Sequence, residues 1–259
     1  MNTHISRFEK RLSDRRFPLR PPAGHVLCKE KTSFGHIVVS ETSFRGHRAR
    51  LLFVNDALQS AMAMEDGQQH MLLFPYLRGF NWGFRLKPDI RRTLLIGGGG
   101  FAYPRYYAHA FPELKLDIVE MSRDMIDISR RFFFLDELLQ SSPSNLRLYE
   151  KDGISFLLGC PDRYDLLLCD AFTGKDADEG LFSADSLALF HAHLCETGIC
   201  ICNIITAVKG IHALPGHRLK KRFQAQFRNI LLLQADESRR PEEKQNCLLI
   251  ASDAALWTE

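Results

Sequence analysis

From Arg92 onward, short apolar runs alternate with amphipathic segments, and that alternation restricts the chain to one class of fold. The runs are TLLIGG (93–98), KLDIVEM (115–121), NLRLYEKD (145–152), YDLLLCD (164–170) and GICICNII (198–205). Helical patterns fall between them near 103–111, 122–135, 153–158 and 184–195. Ser122 and Asp124 supply the N-cap and the first-turn acid of the second of these. Strands separated by helices pair in parallel through crossovers, so the pattern predicts a doubly wound α/β sheet. After a helix near 213–228, ILLLQA (230–235) and NCLLIASD (246–253) are joined only by the charged loop 236–245. A hairpin there predicts seven strands with one antiparallel edge strand.

The segment before this pattern is different. HVLCKEKTSFGHIVVSETSFRGHRARLLFVND breaks into three β-like runs, with turn residues at Ser33–Gly35 and Arg45–Gly46. The division is therefore a basic arm over 1–22, a small antiparallel β-subdomain with a linking helix at 66–79 over 23–80, and the α/β domain over 81–259.

The arm holds six Lys/Arg and two acids, whereas the remainder of the chain carries 28 basic and 29 acidic residues. A basic arm can touch nucleic acid or acidic lipid. Nothing elsewhere interleaves basic with aromatic residues, so no nucleic-acid groove is expected. No apolar run approaches the ~20 residues that cross a bilayer. The opening residues lack a signal-peptide core, which points to a cytoplasmic protein. The seven cysteines form no CxxC pair, and most lie in apolar runs, where a thiol behaves as a small hydrophobe. His191 and His193, two apart on a helix, diverge too far to share a metal. No metal site is expected.

Chemistry concentrates at the strand ends. Four glycines in a row, Gly97, Gly98, Gly99 and Gly100, follow the first strand and precede a helix. Such a turn suits an anionic or adenosine-bearing ligand. The second strand ends in Glu120, 23 residues after Gly97, where a carboxylate can accept hydrogen bonds from both hydroxyls of a ribose. The third ends in Asp152–Gly153, suited to an adenine amine, and the fourth in Asp170. Helix caps and tight turns would explain the same residues without a ligand.

These motifs resemble a family. KTSFGHIVV, LLFVNDALQS, LLIGGGG, LDIVEMSRDMIDISRRFF, KDGISFL, YDLLLCDAF and LFS follow the order and spacing of the spermidine synthase-like proteins, the polyamine aminopropyltransferases, from about Lys31 to Ile205. The resemblance implies a Rossmann-like, methyltransferase-type sheet and a nucleoside sulfonium donor, S-adenosylmethionine or its decarboxylated form. It also implies a small-molecule amine acceptor and a homodimer. By position, it places Glu120 on the ribose, Asp152 on the adenine, Gln59 near the donor and Asp170 at the reacting centre. It makes 171–182, AFTGKDADEGLF, the loop that closes over substrate.

The chain departs from that pattern at three places. Gly100 stands where the family's Gly-Gly-Gly-Asp-Gly has its acid, Thr173 replaces a second acid, and Gln68 replaces a tyrosine. Asp176, Asp178 and Glu179 on the loop are the acids left to compensate. The expected reaction is aminopropyl transfer to an amine, with Asp170 as general base. Methyl transfer from S-adenosylmethionine and a non-catalytic nucleoside-binding scaffold are the alternatives.

Overall fold

The computed structural model describes residues 24–171 and 180–256. Four antiparallel strands come first: β1 (His25–Thr32), β2 (Gly35–Phe44), β3 (His47–Val54) and β4 (Ala57–Ala63), paired in chain order. Two short helices follow, α1 (Pro75–Gly79) and α2 (Trp82–Leu86). The α/β domain then runs β5 (Arg92–Ile96), α3 (Ala102–Ala110), β6 (Lys115–Glu120), α4 (Arg123–Phe132), α5 (Leu135–Ser141), β7 (Leu146–Glu150), α6 (Gly153–Leu158) and β8 (Tyr164–Cys169). It finishes with α7 (Ala184–Ala192), β9 (Leu194–Thr206), α8 (Leu214–Phe223), β10 (Asn229–Gln234) and β11 (Gln245–Ser252).

The large sheet has seven strands, as expected, in the order β10-β11-β9-β8-β5-β6-β7. Strand alternation sends Leu95, Ile118, Leu168, Ile201 and Ile250 toward α1, α3 and the small sheet. Leu94, Ile96, Leu167, Cys200 and Leu249 face α6, α7 and α8 on the other side. The small sheet is buried on both faces. Leu51 and Phe53 join the first of these cores, while Ile37, Val39 and Leu52 pack on Met125, Ile128 and Phe133 around α4. Asp124 ties the two parts together, its Oδ2 accepting from Ser33 Oγ at 2.7 Å and from the Phe34 amide at 3.3 Å.

Four expectations need correction. The third β-like run extends into a fourth strand, because Asn55 and Asp56 (φ 49° and 63°) make a left-handed two-residue turn inside LLFVNDALQS. The linking helix is only Pro75–Gly79: a proline at its start disfavours helical backbone before it. The helix expected over 122–135 stops at Phe132, and Phe134 (φ 50°) reverses the chain into α5. The reversed strand of the terminal hairpin is not at the edge. β11 inserts between β9 and β10, antiparallel to both, so the edge strand β10 again runs with the others.

At the end of the sheet remote from the glycines, buried Asp117 accepts from the Arg92 guanidinium at 2.7 Å and from the Tyr164 hydroxyl at 3.0 Å. Asp162 bonds the same guanidinium at 2.6 Å.

Candidate active site

Strand order reverses between β5 and β8: connections from β5 lead one way to β6 and β7, and those from β8 lead the other way to β9. The crevice at such a switch point opens at the strands' carboxyl ends. There the turn after β5 meets the turn after β8. The Asp170 amide donates to Ile96 O and the Gly97 amide to Val119 O, both at 2.8 Å. A Cβ on Gly97 would stand 2.8 Å from the Asp170 carbonyl, and its φ is +95°. Gly97 therefore has to be glycine.

Glu120 closes the glycine turn from the β6 side. Its Oε2 accepts from the amides of Gly98 at 2.9 Å and Gly99 at 3.1 Å, and Oε1 accepts from the Ser122 amide at 2.8 Å. The Gly98 and Gly99 N–H groups are thus committed to a carboxylate of the protein. A bound phosphate would have to displace that carboxylate or face it. Of the two ligand types the glycines allow, the arrangement favours one without phosphate, and Oε1 keeps a lone pair for a hydroxyl.

Gly100 has an ordinary φ, so backbone conformation does not demand glycine there. Sterics do. A Cβ would lie 2.5 Å from both Cβ and Oγ of Ser60, a buried residue of β4. Ser60 thus fills the space into which an acid at position 100 would start to project. Beside it, Gln59 is exposed and is the extra residue of a β-bulge, since Leu52 pairs with Ser60 and Phe53 with Leu58. Bulges next to crevices re-aim a side chain. Asp152 is exposed and caps α6 through the Ser155 amide at 2.8 Å, leaving its second oxygen available. Gly153 lets α6 approach β5: a Cβ there would sit 2.6 Å from Ile96 Cγ2.

Asp170 is a half-buried acid at the end of β8. Its Oδ2 accepts from the Tyr76 hydroxyl at 3.2 Å and its Oδ1 from Asn203 Nδ2 at 2.9 Å. Burial, with a smaller push from the Glu120 charge, raises its pKa to about 7 against the pull of those two hydrogen bonds. Burial and the neighbouring Asp170 charge in turn hold the Tyr76 hydroxyl protonated, well above its ordinary range.

The structure thus brings Gly97, Gly98, Gly99, Gly100, Glu120 and Asp170 together at the carboxyl ends of β5, β6 and β8, with Gly153 packed on Ile96 and Asp152 capping α6, while Gln59 is the exposed bulge residue next to Ser60. Thr173, Asp176, Asp178 and Glu179 lie outside the described residues. Sequence reasoning missed Ser60, Tyr76 and Asn203. One signal was available, a lone polar residue inside the apolar run ICICNII. Among the described residues no cluster of three or more His, Cys, Asp or Glu is placed to hold a metal, and no helix is long and apolar enough to cross a membrane. His191 pairs with Asp253, while His193 bonds Leu189 O and Cys160 O.

No protein-family model matches the chain. A polyamine aminopropyltransferase of Vibrio vulnificus is 30% identical over 149 residues, 56% of this chain and 48% of that protein. One from Clostridium beijerinckii is 26% identical over 172 residues, covering 66% and 57%. The chain is related to the polyamine aminopropyltransferases. This relative spans about half the length of those curated proteins. Its fold is that of spermidine synthases. A probable spermidine synthase from Corynebacterium glutamicum superposes with a TM-score of 0.71 at 18% identity, covering 90% of this chain and 81% of that one. A spermidine synthase solved with the transition-state analogue AdoDATO gives 0.70 at 15% identity, covering 89% and 74%.

Proposed function

We propose that this protein is a transferase moving an aminopropyl group from decarboxylated S-adenosylmethionine to a small amine, with Asp170 as general base. The observation that carries the reading is Asp170 itself, a half-buried carboxyl held by Tyr76 and Asn203 against the glycine turn of a nucleoside-type crevice, its pKa raised to about 7. An amine with a pKa near ~10 is mostly an ammonium at neutral pH. Asp170, once ionised, takes a proton from that ammonium and orients the freed lone pair. The lone pair attacks the carbon beside the sulfonium, the C–S bond breaks with its electrons going to sulfur, and a neutral thioether leaves. Alignment of the two reactants supplies much of the rate. Relatives named polyamine aminopropyltransferases, and a structural neighbour holding a transition-state analogue, support this reading.

In the same reading Glu120 meets the ribose, Asp152 the adenine, and Gln59 the donor's flank. The protein works as a soluble cytoplasmic homodimer that needs no metal.

One observation favours a second reading. With Gly100 bare and Ser60 filling its flank, the donor's tail meets no acid at that position, so an intact S-adenosylmethionine carboxylate is not repelled there. Methyl transfer is then available to the same crevice. Calorimetric titration with each donor separates the two. Tighter binding of the decarboxylated donor supports aminopropyl transfer, and binding of the intact donor alone overturns it.

A further inference from the structure

We propose that Asn246 is a positioning residue that sets the protonation of Asp170 by orienting the side-chain amide of Asn203. This inference rests on the reading of Asp170 as the base. A carboxylate and its protonated form ask opposite things of a neighbour, since the first needs a donor and the second can give a proton to an acceptor. A side-chain amide offers either face, so what holds the amide decides which form of the acid is favoured.

Asn203 is 3% exposed, on β9, and its Nδ2 faces Asp170 Oδ1 at 2.9 Å. Its Oδ1 accepts from Asn246 Nδ2 at 3.0 Å. Asn246 lies on the neighbouring β11, where it pairs with Ile205, so both asparagines project from one face of the sheet. As long as Asn246 presents its NH2, Asn203 must present its own NH2 to Asp170, which favours the carboxylate. If Asn246 presented only acceptors, Asn203 would turn and offer its carbonyl, which favours the acid. The other groups facing Asp170 among the described residues are the Tyr76 hydroxyl on α1 and the Glu120 carboxylate at the end of β6. Neither touches the amide pair, so the relay can be altered alone. Half-buried Asn246 tolerates an isosteric change.

The test is Asn246→Asp, which keeps the shape and replaces the donor with an acceptor-only group. Carboxyl-carbon NMR of 13C-aspartate-labelled protein, with the Asp170 signal identified by its loss in Asp170→Asn, reads the titration directly and needs no substrate. The expected result is an upward shift of about one unit or more in the unaltered background, and only a small further shift when Asn246→Asp is added to, and compared with, Asn203→Leu. Asn246→Leu, which frees the amide without adding charge, should give a smaller upward shift. An unmoved Asp170 in Asn246→Asp overturns the proposal. So does a shift that persists in full without Asn203, because it is then direct repulsion. Failure of the base assignment looks different: the NMR titration moves while the pH profile of transfer stays where it was.

Discussion

Introducing an acid at position 100 is a two-residue problem. In Gly100→Asp the new Cβ would lie 2.5 Å from Ser60 Cβ and Oγ and 3.7 Å from Leu52 Cδ2. Ser60 Cβ is fixed to the backbone of a buried strand and cannot rotate away. Overpacking of this kind costs about 1–3 kcal/mol, roughly 2–10 °C in Tm for a chain of this size. Ser60→Gly removes both clashing atoms, at a cost of about 0.5–1 kcal/mol for glycine in a strand. The double variant should therefore melt above Gly100→Asp, with a favourable coupling of about 1–2 kcal/mol in a cycle scored by denaturant unfolding. In the folded double variant, the added carboxylate attracts an ammonium tail and repels a carboxylate tail. At about 1 kcal/mol for the attraction and a similar repulsion, the ratio of donor affinities should move roughly 5- to 30-fold toward the decarboxylated donor. Calorimetry with each donor reads that ratio. Additive stabilities would refute the steric argument, and an unchanged ratio would show that the donor's tail lies away from Gly100.

Asp170→Asn should stabilise the protein in a pH-dependent way. Below pH ~4 the carboxyl is protonated in both folded and unfolded chains; the cost of ionising it in the fold grows up to about pH 7 and is complete above that. Three units correspond to about 4 kcal/mol, so thermal melts should show a clear gain at pH 8 and little at pH 4, and equal gains at both would contradict the raised titration. Glu120→Gln replaces an acceptor-only group by one that cannot accept from Gly98, Gly99 and Ser122 together; donor affinity should fall about tenfold or more, and an unchanged value in calorimetry would remove Glu120 from the site. Arg92→Met strands Asp117 in the core at the far end of the sheet; it should cost about 3–5 kcal/mol in urea unfolding while leaving donor affinity within about twofold. A parallel loss of donor binding would mean that the two ends of the sheet are coupled.

Periodicity and strand-end chemistry were enough to read the parallel sheet, the glycine turn and the acids at its rim, because each depends on residues close in sequence. Glu120 was legible from its distance to Gly97, yet its grip on the Gly98 and Gly99 amides was not, since that follows from how β5 and β6 register. Local signals also misled. The third β-like run reads as ending at Asn55–Asp56, and the short ALQSAMA that follows carries no separate strand signal, although those two residues turn the chain back into β4; the hairpin loop 236–245 does not say on which side of β10 the returning strand will insert. Tyr76, Asn203 and Asn246 come from three separate elements and meet only when β9 and β11 pair and α1 packs over them. Ser60 matters only through its distance to Gly100.

Asp170 is proposed as the base for an amine attacking a decarboxylated sulfonium donor. Its most direct test is release of the thioether nucleoside from that donor, followed by mass spectrometry with a panel of mono-, di- and triamines, for the unaltered protein and Asp170→Asn between pH 5 and 9. The expected result is release that depends on an amine, rises as pH passes through about 7, and falls by roughly 10²–10⁴ in Asp170→Asn. Amine-dependent release that Asp170→Asn leaves intact, or release from intact S-adenosylmethionine only, would contradict it.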